Sequence, residues 1–481
     1  MARLIKIKQS IKAALITSLI THSYSISAGE ISFEHAWQLL QDKNNAIAAQ
    51  KANVQRYKQL ERSKDALNYP TLSLSANYTH LDKDVTVSGD QLLESIDSKS
   101  KAAIAANPAL AGLLGSLGSV NPTSTIAHQD FFSSSIRAIW PIFTGGRITS
   151  AQAIASGQTD QAIAQLEMET QAQYEDLSKY YFSVVLARDV LLTRESVEKG
   201  LTKHRDFAIK LEKQGQIAKV ERLQAEASLA KAKVDRKKAQ KDVEIAVSAL
   251  TQILNQSDKV YPNTKLFINH TLPPLSAFTQ QTLDTYPGLA ILDAKNKQAS
   301  NLIKAEQGRY YPEVYLYGNY SLYEDDSLAN QMTPDWLVGV GVKLPLIDNS
   351  GRSENIQAAQ SAVLQVNHLR QQATQDLSVL VEKTYFEAEQ AIEEVEGLNA
   401  SIQLAKENLK LRNKAFTQGL STSLEVVDAE LYLAGVKTQQ QLASFNYLIA
   451  LNKLLALASD INAFKQYQNN AYQPINSEDA S

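Results

Sequence analysis

The sequence contains the same series of segments twice, and this duplication limits the possible folds more than any other feature. Three kinds of segment recur in one order: a strand that begins with Tyr-Pro, a proline-containing stretch that ends in Gly-Arg, and a glycine turn followed by a helix. Their positions are 69–78 and 311–320, 140–147 and 344–352, and 215–233 and 419–437. Because internal repetition reflects a repeated structural unit, each half is predicted to contain a helix, two strands, a very long helix, a turn and a second helix.

The composition excludes several classes of functional site. The chain of 481 residues has no cysteine, which rules out disulfides, thiolate metal sites, a cysteine nucleophile and a lipid anchor on an N-terminal cysteine. Its net charge is only −3, so no overall attraction to nucleic acid is expected. The seven histidines lack the spacings typical of metal or catalytic sites. The sequence therefore predicts no enzyme activity, no catalytic or metal-binding residues and no cofactor.

The N-terminus has the layout of a Sec-type signal peptide. Several cations precede the short apolar run 13–20, and small residues follow at Ser25, Ser27 and Ala28. Cleavage is expected near Ser27 or Ala28, which assigns 1–28 to the signal peptide. The alternative is a buried N-terminal helix. Elsewhere no segment has about 18 consecutive apolar residues, so no α-helical membrane span is predicted.

Proline is absent from two long stretches of the chain, 142–261 and 346–473. Since proline inside a helix costs about 3 kcal/mol, these stretches, rich in Ala, Gln, Glu, Lys and Leu, are predicted to form long helices. Gly215 and Gly419 stand among polar residues and are predicted to be the turns of two helix pairs. The longer helix of each pair would approach ~100 Å in length. The predicted helices are 149–213, 218–254, 353–417 and 423–458.

Four segments of about ten residues alternate between apolar and polar side chains, a length typical of membrane strands. They lie at about 70–81, 131–142, 312–323 and 335–346. Both cations within them, Arg137 and Lys343, fall on the polar face. The pattern is typical of a transmembrane β-barrel, although a soluble antiparallel sheet alternates in the same way. Four strands are too few to close a barrel in lipid, so membrane strands would have to be pooled by several chains.

Taken together, these segments resemble the TolC family of outer-membrane efflux and secretion ducts. The resemblance spans about 31–462 and rests on the duplicated plan, the Tyr-Pro strand starts, the Pro-Ile-Phe-Thr-Gly-Gly-Arg stretch at 141–147, and the glycine turns that lead to 220–221 and 426–429. It implies a mixed α/β membrane protein. Four strands from each chain of a homotrimer would form one twelve-stranded outer-membrane β-barrel. The barrel would continue into a coiled-coil tunnel of twelve helices that crosses the periplasm and closes at its inner end.

The resemblance also implies a function and partners. Such a duct would receive substrate from an inner-membrane pump of the RND, ABC or MFS type through a periplasmic adaptor. It would conduct substrate passively out of a Gram-negative cell, in a tripartite efflux pump or in type I secretion, and would contact outer-membrane lipid. The cargo is not predicted, because drugs, metal ions, siderophores and proteins all leave through members of the family. The alternative is a soluble periplasmic adaptor or coiled-coil scaffold, although an adaptor has one helical hairpin and this chain has two.

The predicted domain organisation follows the duplication. In relatives the segment between the repeats and the C-terminal tail form an irregular belt around the middle of the tunnel. The loop 82–130 is expected either to fold over the pore mouth or to be disordered, and the loop 323–334 is short and acidic. The predicted divisions are the signal peptide (1–28), the first repeat (29–255), the equatorial segment (256–287), the second repeat (288–460) and the tail (461–481).

The resemblance places the gate at the inner end of the tunnel. Glu425 and Asp428 are three residues apart and so share one helix face, and they match two acidic positions that project into the narrowest part of the tunnel in relatives. A trimer would form two rings of three carboxylates, which favour cations and raise some of their pKa values by repulsion. The alternative is that both are solvated charges at a helix start, where the helix dipole favours them.

Three further residues are predicted to hold the tip closed. Glu221 matches an acidic position that relatives use in this way, or it is another solvated charge at a helix start. Relatives have an arginine two residues after the second glycine, where this chain has Ser421, while Lys219 lies near the first turn. Closure is therefore expected to be weaker or to use other pairs, such as Lys219 with an acid of a neighbouring protomer. Gly215 and Gly419 are the expected adaptor contacts.

The junctions between strands and helices contain prolines, glycines and arginines in both halves. The stretch 144–147 could suggest a phosphate loop, but no Lys-Ser/Thr follows it, so a strand-to-helix turn is preferred. Arg147 and Arg352 are predicted to tie these turns down. The junction residues are Pro70, Pro141, Gly146, Arg147, Pro312, Pro345, Gly351 and Arg352.

Overall fold

The computed structural model describes residues 29–108, 110–112, 115, 123–324, 334–347 and 349–471. The chain divides into two compact units, and each unit takes segments from both halves of the sequence because the divisions fall within helices. The predicted signal peptide lies outside the described residues. The helical unit comprises the described parts of Met1–Lys51, Leu166–Pro287 and Ala373–Ser481, and the sheet unit those of Ala52–Gln165 and Gly288–Gln372.

Strands and helices follow one another along the chain in two similar series. In chain order the strands are β1 (Glu30–Ile31), β2 (Thr71–His80), β3 (Val85–Ser88), β4 (Thr123–Ala127), β5 (Asp130–Phe143), β6 (Tyr261–Pro262), β7 (Glu313–Glu324) and β8 (Trp336–Lys343). The helices are α1 (Phe33–Lys43), α2 (Asn45–Asp65), α3 (Gly89–Ser95), α4 (Ser98–Ala105), α5 (Arg147–Lys213), α6 (Lys219–Ile253), α7 (Leu275–Thr285), α8 (Pro287–Gln307), α9 (Arg352–Thr417), α10 (Ser423–Leu457) and α11 (Phe464–Asn469). Short 3₁₀ turns occupy Ala66–Asn68, Gly308–Tyr310 and Ile461–Ala463.

The sheet unit contains a four-stranded antiparallel sheet in the order β2-β5-β7-β8. Its strands are the four alternating segments of the sequence, and their register keeps like faces together. On the polar face, Ser75 is paired with Ser135, and Arg137 with both Ser73 and Asn319. Within the described part of the chain, β2 and β8 are edge strands with one strand neighbour each.

The apolar face of this sheet is exposed in the single chain. Leu72, Leu74 and Val338 are 71%, 69% and 76% exposed. Leu72 and Val338 lie in one row across the sheet, through Ala138 and Gly318. Contiguous exposed apolar surface of this kind marks contact with another protein or with lipid.

The segment 82–130, expected to be a loop, is partly folded. β3 pairs with β4 in antiparallel register. α3 starts with a capping box, in which the side chains of Ser88 and Gln91 each accept a hydrogen bond from the other residue's backbone N–H. Most of the second loop, 323–334, lies outside the described residues.

The four long helices lie close to their predicted positions. α5 and α9 contain 67 and 66 residues, and α6 and α10 contain 35 residues each. α5 and α9 begin slightly before the predicted starts, at Arg147 and Arg352. Among the helices that the structure describes, none is both long enough and apolar enough to cross a membrane.

The equatorial segment and the start of the tail pack into the helical unit. β1 pairs with β6 in parallel, and the buried Tyr181 hydroxyl donates to the backbone oxygen of Ile31 at 2.6 Å. The ring of Phe464, in the tail, lies 4.7 Å from the ring of Phe33, which also contacts Tyr174 at 5.6 Å between centroids. Aromatic burial of this kind contributes much of the energy of a core. The rest of the tail, 472–481, is outside the described residues.

Candidate gate at the helical turns

α5 and α9 end with the same turn geometry. Gly215 and Gly419 have φ angles of 72° and 71°, in the left-handed region that a β-carbon disfavours. In each turn the N–H that follows the glycine donates to the carbonyl oxygen five residues earlier, at 2.9 Å. This pair of features defines a Schellman motif, which satisfies carbonyls at the helix end. The two predicted turn glycines therefore reverse the chain in the same way in both repeats.

A hydrogen bond joins the starts of α6 and α10. Oε2 of Glu221 accepts from the backbone N–H of Ser423 at 2.7 Å. Ser423 is fully buried, and its Oγ lies 2.7 Å from Nε2 of His204 on α5. The first N–H groups of a helix have no partner within the helix, and here a carboxylate from the other helix pair supplies one. The two helix pairs are thus connected through Glu221, Ser423 and His204.

A small apolar core lies beside this connection. Each of the four long helices contributes to it, and Ile217 of the first turn packs against it. Burial of these side chains stabilises the two turns against each other. The core residues are Ala208, Leu211, Ala225, Phe416 and Val426.

His204 was not identified from the sequence, although it is central to this contact. Its side chain is only 4% exposed, and its ring centroid lies 4.4 Å from that of Phe416. Burial lowers the pKa of His204 from 6.5 to about 4, while the Glu221 carboxylate acts in the opposite direction. The imidazole is therefore neutral at pH 7 and holds Ser423 without introducing a buried charge.

Glu425 is engaged within its own chain. It forms a capping box with Thr422 at the start of α10. Its Oε2 also accepts from Oγ of Ser421 at 2.5 Å and lies 3.1 Å from Nη1 of Arg412. The hydrogen bond from Ser421, followed by that from the Thr422 backbone, lowers the pKa of Glu425. Ser421 and Arg412 thus keep this carboxylate ionised and fix its position.

The other two predicted tip residues are exposed. Asp428 and Lys219 point to solvent in the single chain, and neither forms an ion pair within the described part of the chain. Both remain available to a second protomer. Asp428 follows Glu425 by three residues, so the two carboxylates lie near each other along α10.

Arg222 ties the end of α5 to the start of α6. Its Nε lies 2.5 Å from Oε2 of Glu212, and its Nη1 lies 2.6 Å from Oε1 of Glu226. The spacing of four between Arg222 and Glu226 is a sequence signal for a helix pair. Glu212 lies on the other side of the turn at Gly215, so its contact with Arg222 depends on how the chain reverses there and was not predicted from the sequence.

A partly buried carboxylate lies further along α10. Glu430 packs against Gly200 of α5, where an added β-carbon would lie 2.6 Å from its Oε1. Burial raises the pKa of Glu430 to about 7, and the attraction of Lys437 and Lys203 only partly offsets this effect. Glu430 corresponds to Glu226 when the repeated segments 215–233 and 419–437 are aligned. The structure shows that the two have different environments.

The prolines of the sheet unit lie at strand ends or irregularities. Pro70 and Pro312 immediately precede β2 and β7, and Pro345 follows β8. Pro141 lies within β5, where the register with β7 shifts. Proline cannot donate to a sheet and is tolerated at such positions.

The two junction arginines hold their turns by different contacts. Gly146 and Gly351 have φ angles of 80° and 59° and precede α5 and α9. Nε of Arg147 donates to the backbone oxygen of Thr144 at 3.2 Å, and its guanidinium pairs with Glu313. Arg352 instead packs on a tyrosine ring and donates to three carbonyls. Those contacts are the ring of Tyr310 at 4.7 Å and the backbone oxygens of Arg309 and Pro345 at 3.2 Å and of Leu346 at 3.3 Å.

Among the described residues, no group of His, Asp or Glu side chains has the arrangement needed to hold a metal ion. The chemistry of the turns consists of hydrogen bonds and ion pairs between helices. Such contacts can hold a helical bundle in one arrangement and release it when they are broken.

Comparisons with known proteins agree with this architecture. The fold is similar to a membrane protein from Pseudomonas aeruginosa, with 15% identity, a TM-score of 0.70 and coverage of 89% of this chain and 90% of that chain. It is similar to the outer membrane protein VceC from Vibrio cholerae, with 15% identity, a TM-score of 0.69 and coverage of 89% and 96%. It is also similar to the open state of the MtrE outer membrane channel from Neisseria gonorrhoeae, with 18% identity, a TM-score of 0.68 and coverage of 89% of each chain.

No curated protein matches the sequence. The family model for outer membrane efflux proteins, however, matches 36–256 and 278–459, which covers nearly all of both repeats. This match confirms the resemblance drawn from the sequence. On these grounds the chain belongs to the outer membrane efflux protein family.

Proposed function

We propose that this efflux protein is the outer-membrane exit duct of a tripartite efflux pump or a type I secretion system and works as a homotrimer. The observation that carries the proposal is the four-stranded sheet. Its edge strands β2 and β8 have unused pairing sides within the described part of the chain, and its apolar face is exposed. In lipid, unpaired backbone groups cost several kcal/mol each, so a spanning sheet must close. Three sheets of four strands would form a barrel of twelve.

The polar face of the sheet would line the water-filled interior. Oγ of Ser75 and Oγ of Ser135 lie 3.1 Å apart across β2 and β5, and Arg137 is exposed on the same face. Alternation of lipid-facing apolar and lumen-facing polar residues is typical of outer-membrane barrels. The duct would conduct substrate passively, without chemistry.

The two acidic residues of α10 are proposed to form the gate rings. Asp428 is exposed and available to face a pore. Glu425 is held by Ser421 and Arg412, so it contributes both a helix cap and a fixed negative charge. Rings of carboxylates favour cations at a constriction.

Closure of the tip would depend on contacts other than the arginine that relatives have after the second glycine. The hydrogen bond between Glu221 and Ser423 joins the two helix pairs of one chain. Lys219 is exposed and could pair with an acid of the next protomer. Opening would require the helix pairs to untwist, a rigid-element motion known in other switching proteins. Adaptor contacts around Gly215 and Gly419 would drive it.

The proposed partners are a periplasmic adaptor and an inner-membrane pump of the RND, ABC or MFS type. The proposed location is the outer membrane of a Gram-negative bacterium, reached through cleavage of the predicted signal peptide, with no lipid anchor. The alternative, a soluble periplasmic adaptor or scaffold, is not favoured, because the family match covers nearly all of both repeats.

Membrane fractionation tests the duct itself. We expect a heat-modifiable trimer in the outer-membrane fraction, and a soluble monomer would contradict the proposal. Planar-bilayer recordings then test the gate. Glu425→Ala combined with Asp428→Ala should weaken cation preference, whereas Glu407→Ala, an exposed carboxylate of α9, should not. Unchanged selectivity in the double variant would remove these residues from the gate.

A further inference from the structure

A positively charged cavity lies at the base of the sheet, within the sheet unit. It has a volume of about 350 Å³. Three cations from three different elements line it: Arg147 at the start of α5, Arg309 in the 3₁₀ turn before β7, and Lys343 at the end of β8. Tyr311 and Glu313 also line it. No role in the duct proposed above accounts for this cluster.

Arg147 is held rigidly in this wall. Its side chain passes so close to Gly308 that an added β-carbon there would lie 2.6 Å from Cγ of the arginine. The guanidinium donates to Thr144 and pairs with Glu313. A side chain fixed by packing and by two partners loses little further entropy when it contacts a ligand. The site is therefore largely formed before anything binds.

The charges in the cavity do not balance. Lys343 is paired with Glu313 in the β7–β8 register, yet the Glu313 carboxylate binds Arg147. Arg309 lies 3.1 Å from Oε2 of Glu306. Lys343 is exposed and has no carboxylate partner among the residues that the structure describes. Among the described residues that line the cavity, three cations thus accompany one carboxylate, Glu313. Arg309 is also paired with Glu306, so Lys343 is the cation of the lining without a carboxylate partner.

We propose that this cavity binds an anionic group, a carboxylate or a phosphate, of a solute that passes through the duct. Lys343 would contact the anion directly, Arg309 would add a second charge, and the Tyr311 ring would contact the apolar part of an organic anion. Ammonium and guanidinium groups form charge-assisted hydrogen bonds with such oxygens. The inference rests on the proposed function, because the face that carries Lys343 lines the lumen only in a closed barrel.

The test uses the full-length trimer in planar bilayers with phenyl phosphate as the probe and phenol as its neutral analogue. We expect phenyl phosphate to reduce the conductance and phenol to leave it unchanged. Lys343→Gln should raise the half-blocking concentration by about tenfold, the effect of removing one charged hydrogen bond. The matched control is Arg137→Gln, because Arg137 lies on the same polar face, outside the cavity, and should change the block far less.

Three results would overturn the proposal. Absence of block in the unmodified trimer would show that the cavity does not take anions from the lumen. An equal rise of the half-blocking concentration in Lys343→Gln and Arg137→Gln would show that the block depends on the overall positive potential of the lumen and not on a specific site. Calorimetric binding of phenyl phosphate without block would place the cavity outside the lumen, as a site for lipid phosphate would be. If no channel forms at all, the proposed function itself fails. A heat-modifiable trimer on a gel confirms that each variant is assembled.

Discussion

The ring of Tyr317 lies across Gly339 on the neighbouring strand, so close that an added β-carbon at Gly339 would be 2.6 Å from the tyrosine Cζ and hydroxyl oxygen. The two residues are direct partners in the β7–β8 register. Tyr315 lies over Gly341 in the same way. Glycine by itself weakens a strand, and a ring packed over it offsets the loss. The Gly-Val-Gly sequence of β8 therefore has a structural role within the sheet.

Substitution Gly339→Ala should destabilise the trimer. The added methyl group would displace the Tyr317 ring and destabilise the sheet by about 1 kcal/mol. This value is near the lower end of the range for overpacking substitutions, because the tyrosine ring can move. The midpoint of heat-induced trimer dissociation measures the effect. Gly318→Ala is the control on the adjacent strand, since a β-carbon there would have only ordinary contacts at 3.5 Å. Equal shifts in both variants would rule out ring packing as the cause.

Substitution Glu221→Ala should loosen the tip. It removes the acceptor for the Ser423 N–H, a loss comparable to that of a helix cap, about 1 kcal/mol. We expect a higher open probability in bilayer recordings, with a smaller increase for Glu221→Gln, whose amide oxygen can still accept. Glu244→Ala changes an exposed carboxylate of the same helix, which pairs with Lys241, and should leave gating unchanged. Wild-type gating in Glu221→Ala would contradict the closing role.

Acidification should weaken the helical unit through His204. Its pKa falls from 6.5 to about 4 on folding, so between these values the unfolded chain binds the proton more readily. The stabilising contribution is complete above pH 6.5 and is lost as the pH falls toward 4. The thermal midpoint followed by circular dichroism should therefore decrease over this range. The thermal midpoint of His204→Asn should depend less on pH over this range. An unchanged pH profile in this variant would contradict the role of His204.

Glu430 should change the stability of the helical unit with pH in the direction opposite to His204. Its pKa rises from 4.5 to about 7 on folding, so the folded state binds the proton more readily, and the stabilisation present below pH 4.5 is lost as the pH rises through 7. Glu430→Gln should therefore stabilise the helical unit at pH 8, by on the order of 2 kcal/mol. Glu226→Gln, the corresponding change in the first repeat, should not stabilise it, because Glu226 pairs with Arg222. Chemical unfolding of both variants at pH 8 compares them, and equal stabilities would show that burial of Glu430 has no net cost.

Much of the secondary structure could be predicted from local sequence. The absence of proline located α5, α6, α9 and α10, and the two glycines located their turns, because helix continuity and left-handed φ angles depend on single residues. Alternation located β2, β5, β7 and β8 and separated their faces, because side chains in a strand point to opposite sides in turn. The hairpin formed by β3 and β4 was missed, since short strands inside a polar loop have little periodicity.

The contacts at the helical turns were only partly predictable from the sequence. Sequence comparison identified Glu221, Glu425 and Ser421, and the structure joined the last two in one hydrogen bond. The partner of Glu221 is a backbone N–H 202 residues away, and His204 reaches Ser423 across 219 residues. No periodic pattern encodes such pairs.

By itself the sequence determined where the helices, strands and turns lie and that they occur twice, because proline, glycine and alternation act on the chain within a few residues. Only the tertiary structure decided which of the charged and polar groups near the turns are buried, paired or exposed. Glu226 and Glu430 occupy the same place in the repeat, yet one pairs with Arg222 and the other packs against Gly200. Burial and pairing depend on side chains that distant segments bring together, and these differ between the two halves.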